Sequence, residues 1–257
     1  MNIEHVEQTE NTSTFTVEGI TTPYANTLRR SLMKKVPTMA VDTVEIHENS
    51  SALYDEVLAH RIGLMVLSTD VGAFNIAEDE AEPSAATHAQ LSLSVEGPVT
   101  VKAKHFEAQT DSVAPVHPET IIAELLDDQK IELVATAKLG YGEDHSKHDP
   151  CLATYYFQPD VTVNNDYADL DDVIDQYPPQ VVEDGEIIAE RINTPELLDA
   201  CEGISEAVTI TYPENVDSFT FKIESWGHMT VDEIVSETLR VYNDRLEEFK
   251  TLIEETN

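Results

Sequence analysis

Residues 22–67 read TPYANTLRRSLMKKVPTMAVDTVEIHENSSALYDEVLAHRIGLMVL, and the order of signals within them decides the fold. Thr22 is an N-cap residue type, and Pro23 is pre-set for a first helical position. Ala25, Leu28, Leu32 and Val36 then recur at helical spacing until Pro37 stops the helix. Val41, Thr43 and the run to Ile46 read as extended, Asn49 to Ser51 as a turn, and Glu56 to Leu67 as a short apolar helix. Helix, strand, loop and helix follow in order, with no grouping that looks catalytic.

Charge sets the first helix apart. The chain has 15 Lys and Arg against 50 Asp and Glu, yet Arg29, Arg30, Lys34 and Lys35 fall within one stretch of that helix. Such an island has two readings. It is a solvated face paired with the chain's own carboxylates, or it is a docking face for a protein partner.

ANTLRRSLMKKVPTMAVDTVEI followed by LAHRIGLMVL resembles the signature of the alpha-like subunits of multisubunit RNA polymerases, specifically their archaeal branch. The resemblance implies an α+β protein with a discontinuous dimerisation domain that carries an inserted β-rich domain. It implies that the first helix helps form a heterodimer with a smaller alpha-like subunit, and that Arg29 and Arg30 face the large catalytic subunits.

The formal charge is −35 over 257 residues. Self-repulsion on that scale destabilises a compact state at low ionic strength, and molar salt screens it. The composition therefore predicts a salty interior, as in a halophilic archaeon. Grip on nucleic acid is excluded as a primary role, because phosphate binding needs clustered Lys and Arg. Without a targeting segment or long apolar run, a cytoplasmic protein off the membrane is expected. Two cysteines, Cys151 and Cys201, make no disulfide framework.

Along the rest of the chain, Phe15, Val17 and Ile20 predict a strand after a polar start, and residues 75–90 an acidic, Ala-rich loop. Leu91 to Glu96 and Val99 to Ala103, joined by Gly97-Pro98, predict a hairpin. Ile131, Leu133, Ala135 and Ala137 alternate with Glu132, Val134, Thr136 and Lys138, which predicts a strand with one buried face.

In residues 139–159, LGYGEDHSKHDPCLATYYFQP, His145 and His148 are three apart, with Asp144, Asp149 and Cys151 close by in sequence. A metal site is one reading of that set. The stretch also resembles a Gly-x-Gly-x-x-His-x-Lys loop of the archaeal alpha-like subunits, matched by Gly140, Gly142, His145 and Lys147, and the resemblance implies contact with neighbouring subunits. Partner binding at His145 and Lys147, without metal, is the expectation.

Residues 160–212 resemble the ferredoxin-like insert with which some archaeal members of that family bind a four-iron cluster. Such a cluster takes Cys thiolates in a Cys-x2-Cys-x2-Cys pattern with a further Cys-Pro. Only Cys201 remains; Leu198, Ile204 and Val208 stand where thiolates would sit, and Tyr177 precedes Pro178 where the Cys-Pro would stand. A degenerate insert folding around a small apolar core, with no iron-sulfur cluster, is expected. An unrelated acidic linker with one helix is the other reading.

Phe219, Phe221 and Ile223 then alternate in a strand ended by Ser225-Trp226-Gly227, and Thr230 with Glu233 forms a capping box. On the final helix Val231, Val235, Leu239, Tyr242, Leu246, Phe249 and Ile253 make a continuous stripe, widened by Ile234, Val241 and Leu252. That is more apolar surface than one small domain buries. With the resemblance, part of it, including Val235, Leu239, Tyr242, Leu246 and Phe249, is expected to meet another subunit.

No phosphate loop, no Ser-His-Asp grouping and no Cys-x2-Cys pair is present. The expected organisation is a dimerisation domain from residues 1–45 and 213–257 around an insertion at 46–212. The expected role is a non-catalytic assembly platform of archaeal DNA-directed RNA polymerase. By resemblance its partners are subunit L, small subunits N and P, and the second-largest catalytic subunit. A stand-alone halophilic metalloprotein or a ferredoxin-like redox protein is the alternative.

Overall fold

The computed structural model describes residues 2–77, 84–110, 112–157, 159–212 and 217–256. The N-terminal strands β1 (Asn2–Gln8) and β2 (Thr12–Glu18) lead into helix α1 (Thr22–Lys34). The Thr21 carbonyl accepts the Ala25 N–H, so the helix starts at Thr22 itself and the cap lies one residue earlier than Thr22. Ala25, Leu32 and Val36 are buried as the spacing requires, and Pro37 opens the next strand.

That strand is β3 (Pro37–Asn49). Asn49 then fixes the turn: its Oδ1 accepts from Ser51 N at 3.1 Å, and its Nδ2 donates to the Leu53 carbonyl at 2.9 Å. Helix α2 (Asp55–Gly63) follows, and ends before Leu64 although the apolar run continues to Leu67. Beyond it come β4 (His88–Glu96), β5 (Val99–Lys102), β6 (Glu107–Ala108), β7 (Ile121–Leu125) and β8 (Lys130–Tyr141).

The strand β8 carries the clearest periodicity in the chain. Ile131, Leu133, Ala135, Ala137 and Leu139 are buried while their neighbours are half-exposed, because β8 lies between β3 and β4 with one face on the core. The sheet order is β3-β8-β4-β6. The expected hairpin of β4 with β5 is not formed. The strand β4 pairs with β8 and β6, and β5 pairs with β7 in a separate two-stranded sheet. Two alternating runs beside a Gly-Pro identify strands but not their partners. The acidic segment is shorter than expected, since β4 already begins at His88; residues 78–83 of it lie outside the described residues.

Further strands are β9 (Cys151–Phe157) and β10 (Asp160–Val163). Next come a single helical turn α3 (Leu170–Val173), the short pair β11 (Val182–Glu183) and β12 (Glu186–Ile187), helix α4 (Pro195–Cys201) and β13 (Val208–Thr211). The chain closes with β14 (Ser218–Ser225) and α5 (Val231–Thr256). A second four-stranded sheet has the order β1-β2-β14-β9, so segments near both ends of the chain share one sheet. The stretch 139–159 contains a strand, β9, with Cys151 and Ala153 buried in alternation. The polar start also holds a strand, β1, whose sequence NIEHVEQ has too few apolar residues to announce one.

By packing, the chain divides into two compact units. One comprises Met1–Val6, Thr14–Ala25 and Tyr155–Phe221; the other comprises Glu7–Ser13, Asn26–Thr154 and Lys222–Asn257. In the first, Phe15 stacks on Phe221 at 5.5 Å and Tyr155 meets Phe219 edge-on at 5.6 Å. A separate cluster there joins Leu170, Tyr177, Val181, Leu198, Cys201 and Val208. In the second, Met39, Leu58, Ile62, Leu91, Leu133 and Ala135 belong to one large core. The capping box forms as read: Thr230 N donates to Glu233 Oε2 at 2.8 Å, and Glu233 N donates to Thr230 Oγ1 at 3.3 Å.

Two buried histidines in the larger unit tie loops to the core. Between His148 Nδ1 and the Thr38 carbonyl the distance is 2.7 Å, and between His228 Nδ1 and the Leu67 carbonyl it is 2.8 Å, so each ring donates through Nδ1. Burial lowers both pKa values, that of His228 to about 4. Their neutral forms are stabilised by folding, whereas the unfolded chain takes up protons near the ordinary value of 6.5. Stability is therefore full above that value and falls as pH drops toward 4. For His228 alone the loss is about 3 kcal/mol. Urea midpoints measured between these limits will show the slope, and His228→Asn, which keeps an N–H at the Nδ1 position, will flatten it.

Candidate subunit interface

The basic island on α1 splits into two pairs. Lys34 Nζ sits 2.8 and 2.7 Å from the two carboxylate oxygens of Asp149, and Lys35 Nζ bonds Glu143. Lys35 in turn holds the Glu143 carboxyl below the usual carboxylate range. The self-pairing reading therefore holds for the lysines. Arg29 donates to Asn26 Oδ1 at 3.0 Å and lies 3.5 Å from Met33 Sδ. Arg30 is exposed, and among the described residues neither arginine forms an ion pair.

The loop after β8 is built to hold those lysines. A side chain at Gly140 would strike the His148 ring at 2.6 Å, and one at Gly142 would strike Asp149 Oδ1 at 2.0 Å and the Met33 carbonyl at 2.5 Å. Glycine at both positions lets the loop close against the end of α1. His145 is exposed at its tip, and its Nδ1 accepts from Lys147 N at 3.0 Å. Lys147 turns inward, its Nζ 2.9 Å from the Val41 carbonyl and 3.4 Å from Asp42 Oδ1. Of this expected pair, only His145 offers its side chain to solvent.

The residues of the metal reading do not converge. Asp149 is held by Lys34, His148 is bonded to Thr38, and Cys151 donates to the Leu32 carbonyl at 3.6 Å with its thiol pushed up to about 12 by burial. Among the described residues no group of three or more His, Cys, Asp or Glu is arranged to hold a metal ion.

At the expected cluster positions, Leu198, Val208 and Tyr177 are buried in one apolar core with Ile204 packed against it. Cys201 lies in the same core, its thiol raised by burial. A four-iron cluster needs four thiolates, and these residues do not supply them.

Helix α5 changes character along its length. Val231, Ile234 and Thr238 are buried, and Val235, Val241 and Tyr242 are half-buried. Leu239 and Leu252 are exposed, Leu246 is 50% exposed and Phe249 62% exposed. The first two turns therefore anchor the helix and the remainder presents an apolar face to solvent. Arg245 and Glu143 also belong to this region, 3.7 Å apart, and sequence reading missed both. Lone charges so far apart in the chain carry no signal of proximity.

Residues 44–153 match the family described as the RNA polymerase Rpb3/RpoA insert domain. The chain is 34% identical over 251 residues to a Natronomonas pharaonis protein named DNA-directed RNA polymerase subunit Rpo3, covering 96% of each. It is 33% identical over 256 residues to the Rpo3 subunit of Pyrococcus horikoshii, covering 97% of this chain and 96% of that one. To the Halobacterium salinarum Rpo3 subunit it is 32% identical over 260 residues, covering 98% and 97%. No helix among the described residues is long and apolar enough to cross a membrane.

Proposed function

Because this chain belongs to the Rpo3 family of DNA-directed RNA polymerase subunits, we propose that it is the assembly platform of an archaeal polymerase. Enzymatic activity belongs to the complex, and this chain supplies binding surfaces rather than catalytic groups. The observation that carries the proposal is the apolar outer half of α5. Leu239, Leu246 and Phe249 present to solvent what a stable chain would bury. In this reading they meet the small alpha-like subunit L, Val235 and Tyr242 support them, and the inserted domain carries small subunits N and P.

Arg29 and Arg30 dock the second-largest catalytic subunit, Lys34 shapes the site from within, and Lys35 faces the groove beside α5. His145 adds a contact at the loop tip, and Lys147 positions that loop. Residues 1–45 and 213–257 form the dimerisation domain around an insertion at 46–212. The shared sheet β1-β2-β14-β9 supports that pairing of the two ends, with β9 supplied from within the insertion. The insertion's last part, 160–212, is a degenerate ferredoxin-like fold that keeps a core without a cluster. The assembly works in a saline cytoplasm, and its contact with DNA is indirect, since the chain carries −35.

The test is co-assembly of the Arg29→Ala, Arg30→Ala variant. Recovery of the large subunit falls about tenfold or more while subunit L is retained and the melting temperature holds, because among the described residues neither guanidinium is tied to a carboxylate. The contrast is Lys34→Ala, which leaves Asp149 half-buried without its cation and lowers thermal stability. Equal recovery of every subunit with the arginine variant contradicts the docking role.

A further inference from the structure

We infer that the groove between α1 and α5 seats a carboxylate side chain from an apolar helix of a different polypeptide. The inference rests on the heterodimer reading and specifies the chemistry of the partner. The groove has a volume of about 240 Å³ and lies within one compact unit. Ser31 lines it from α1 and Lys35 from the turn just after that helix, and Val241, Tyr242, Arg245 and Leu246 line it from α5.

Its character is mixed in a specific way. Val241, Tyr242 and Leu246 give an apolar wall, and Leu246 continues along α5 into the exposed face with Leu239 and Phe249. An occupant that follows this continuity lies along the helix and is itself apolar there. Lys35 and Arg245 add two cations to the same groove. In a chain with 50 acidic side chains and 15 basic ones, two cations facing one cleft select an anionic group.

The chain shows how the pair takes a carboxylate. Glu143 bonds Lys35 and lies 3.7 Å from Arg245, so one in-chain carboxylate already spans both cations. Its side chain remains 42% exposed, which leaves the arrangement open to exchange with a partner's carboxylate. Burial of the groove on association removes water from the new pair, which strengthens the attraction and preserves it in molar salt.

The experiment measures the affinity of the full chain for the small alpha-like subunit in molar KCl, with self-association recorded by sedimentation. Lys35→Gln with Arg245→Gln weakens the heterodimer about tenfold or more. Glu143→Gln, which removes the in-chain competitor, tightens it several-fold, a result that loss of folding cannot produce. Unchanged affinity in both variants overturns the groove inference and leaves the heterodimer intact. Absence of association by the wild-type chain overturns the heterodimer reading and the inference with it. Self-association that depends on the same two cations overturns the choice of occupant.

Discussion

Replacing Leu246 and Phe249 together with aspartate will abolish association with the small alpha-like subunit while leaving the chain folded. Both side chains are at least half exposed in the isolated chain, so the substitutions remove little buried surface from its own core. In the proposed heterodimer the same positions lie at the centre of a dry contact. Two carboxylates there lose the apolar burial and must be desolvated unpaired. The expected loss is about 4 kcal/mol or more, roughly a thousandfold in Kd. Calorimetric titration reads the affinity, and a melting curve shows the fold. Ile234→Asp is the control of opposite kind. Ile234 is fully buried, so that change unfolds the chain before it tests any partner. A heterodimer of wild-type affinity with Leu246→Asp, Phe249→Asp would show that the outer half of α5 is not the contact.

Transfer from molar KCl to dilute buffer will lower the melting temperature by about 10 °C or more, equivalent to roughly 3–5 kcal/mol for a chain of this size. Two electrostatic effects oppose each other. Salt weakens ion pairs such as Lys102 and Lys104 with Glu119, at 2.6 and 2.7 Å, and it also screens repulsion among the carboxylates. With 50 acidic and 15 basic side chains, pairing cannot neutralise the surface, so relief of repulsion wins. The Debye length is about 10 Å at 0.1 M and about 3 Å at 1 M, which covers the spacing of neighbouring surface charges. A melting temperature that is flat or falls with added KCl would remove the salt adaptation.

Much of this arrangement was legible because its signals are local. The alternation from Ile131 to Lys138, the Thr230–Glu233 box and the α5 stripe each state their own geometry, and each forms as its spacing requires. The small apolar core within residues 160–212 was legible too, since Tyr177, Leu198 and Val208 share one cluster. What stayed hidden depends on partners far away in the chain. Lys34 meets Asp149 across 115 positions and Lys35 meets Glu143 across 108, so charge density in the helix could not say which cations were already paired. The strands β4 and β5 were visible, but their partners β8 and β7 were not, because period-two alternation carries no information on pairing. The strand β9 was masked for a different reason. Its short alternation starts at Cys151, directly after His145, His148 and Asp149, residue types that suit a ligand set as well as the edge of a strand.

For the platform claim, the most direct measurement is purification of the tagged chain from its native host in molar KCl, with mass spectrometry of what accompanies it. Molar salt screens the repulsion that is expected to destabilise the bait. The account predicts a small alpha-like subunit in equal amount together with the large catalytic subunits, and loss of the small subunit from the Leu246→Asp, Phe249→Asp bait. A folded chain recovered alone, or with proteins unrelated to transcription, would contradict it.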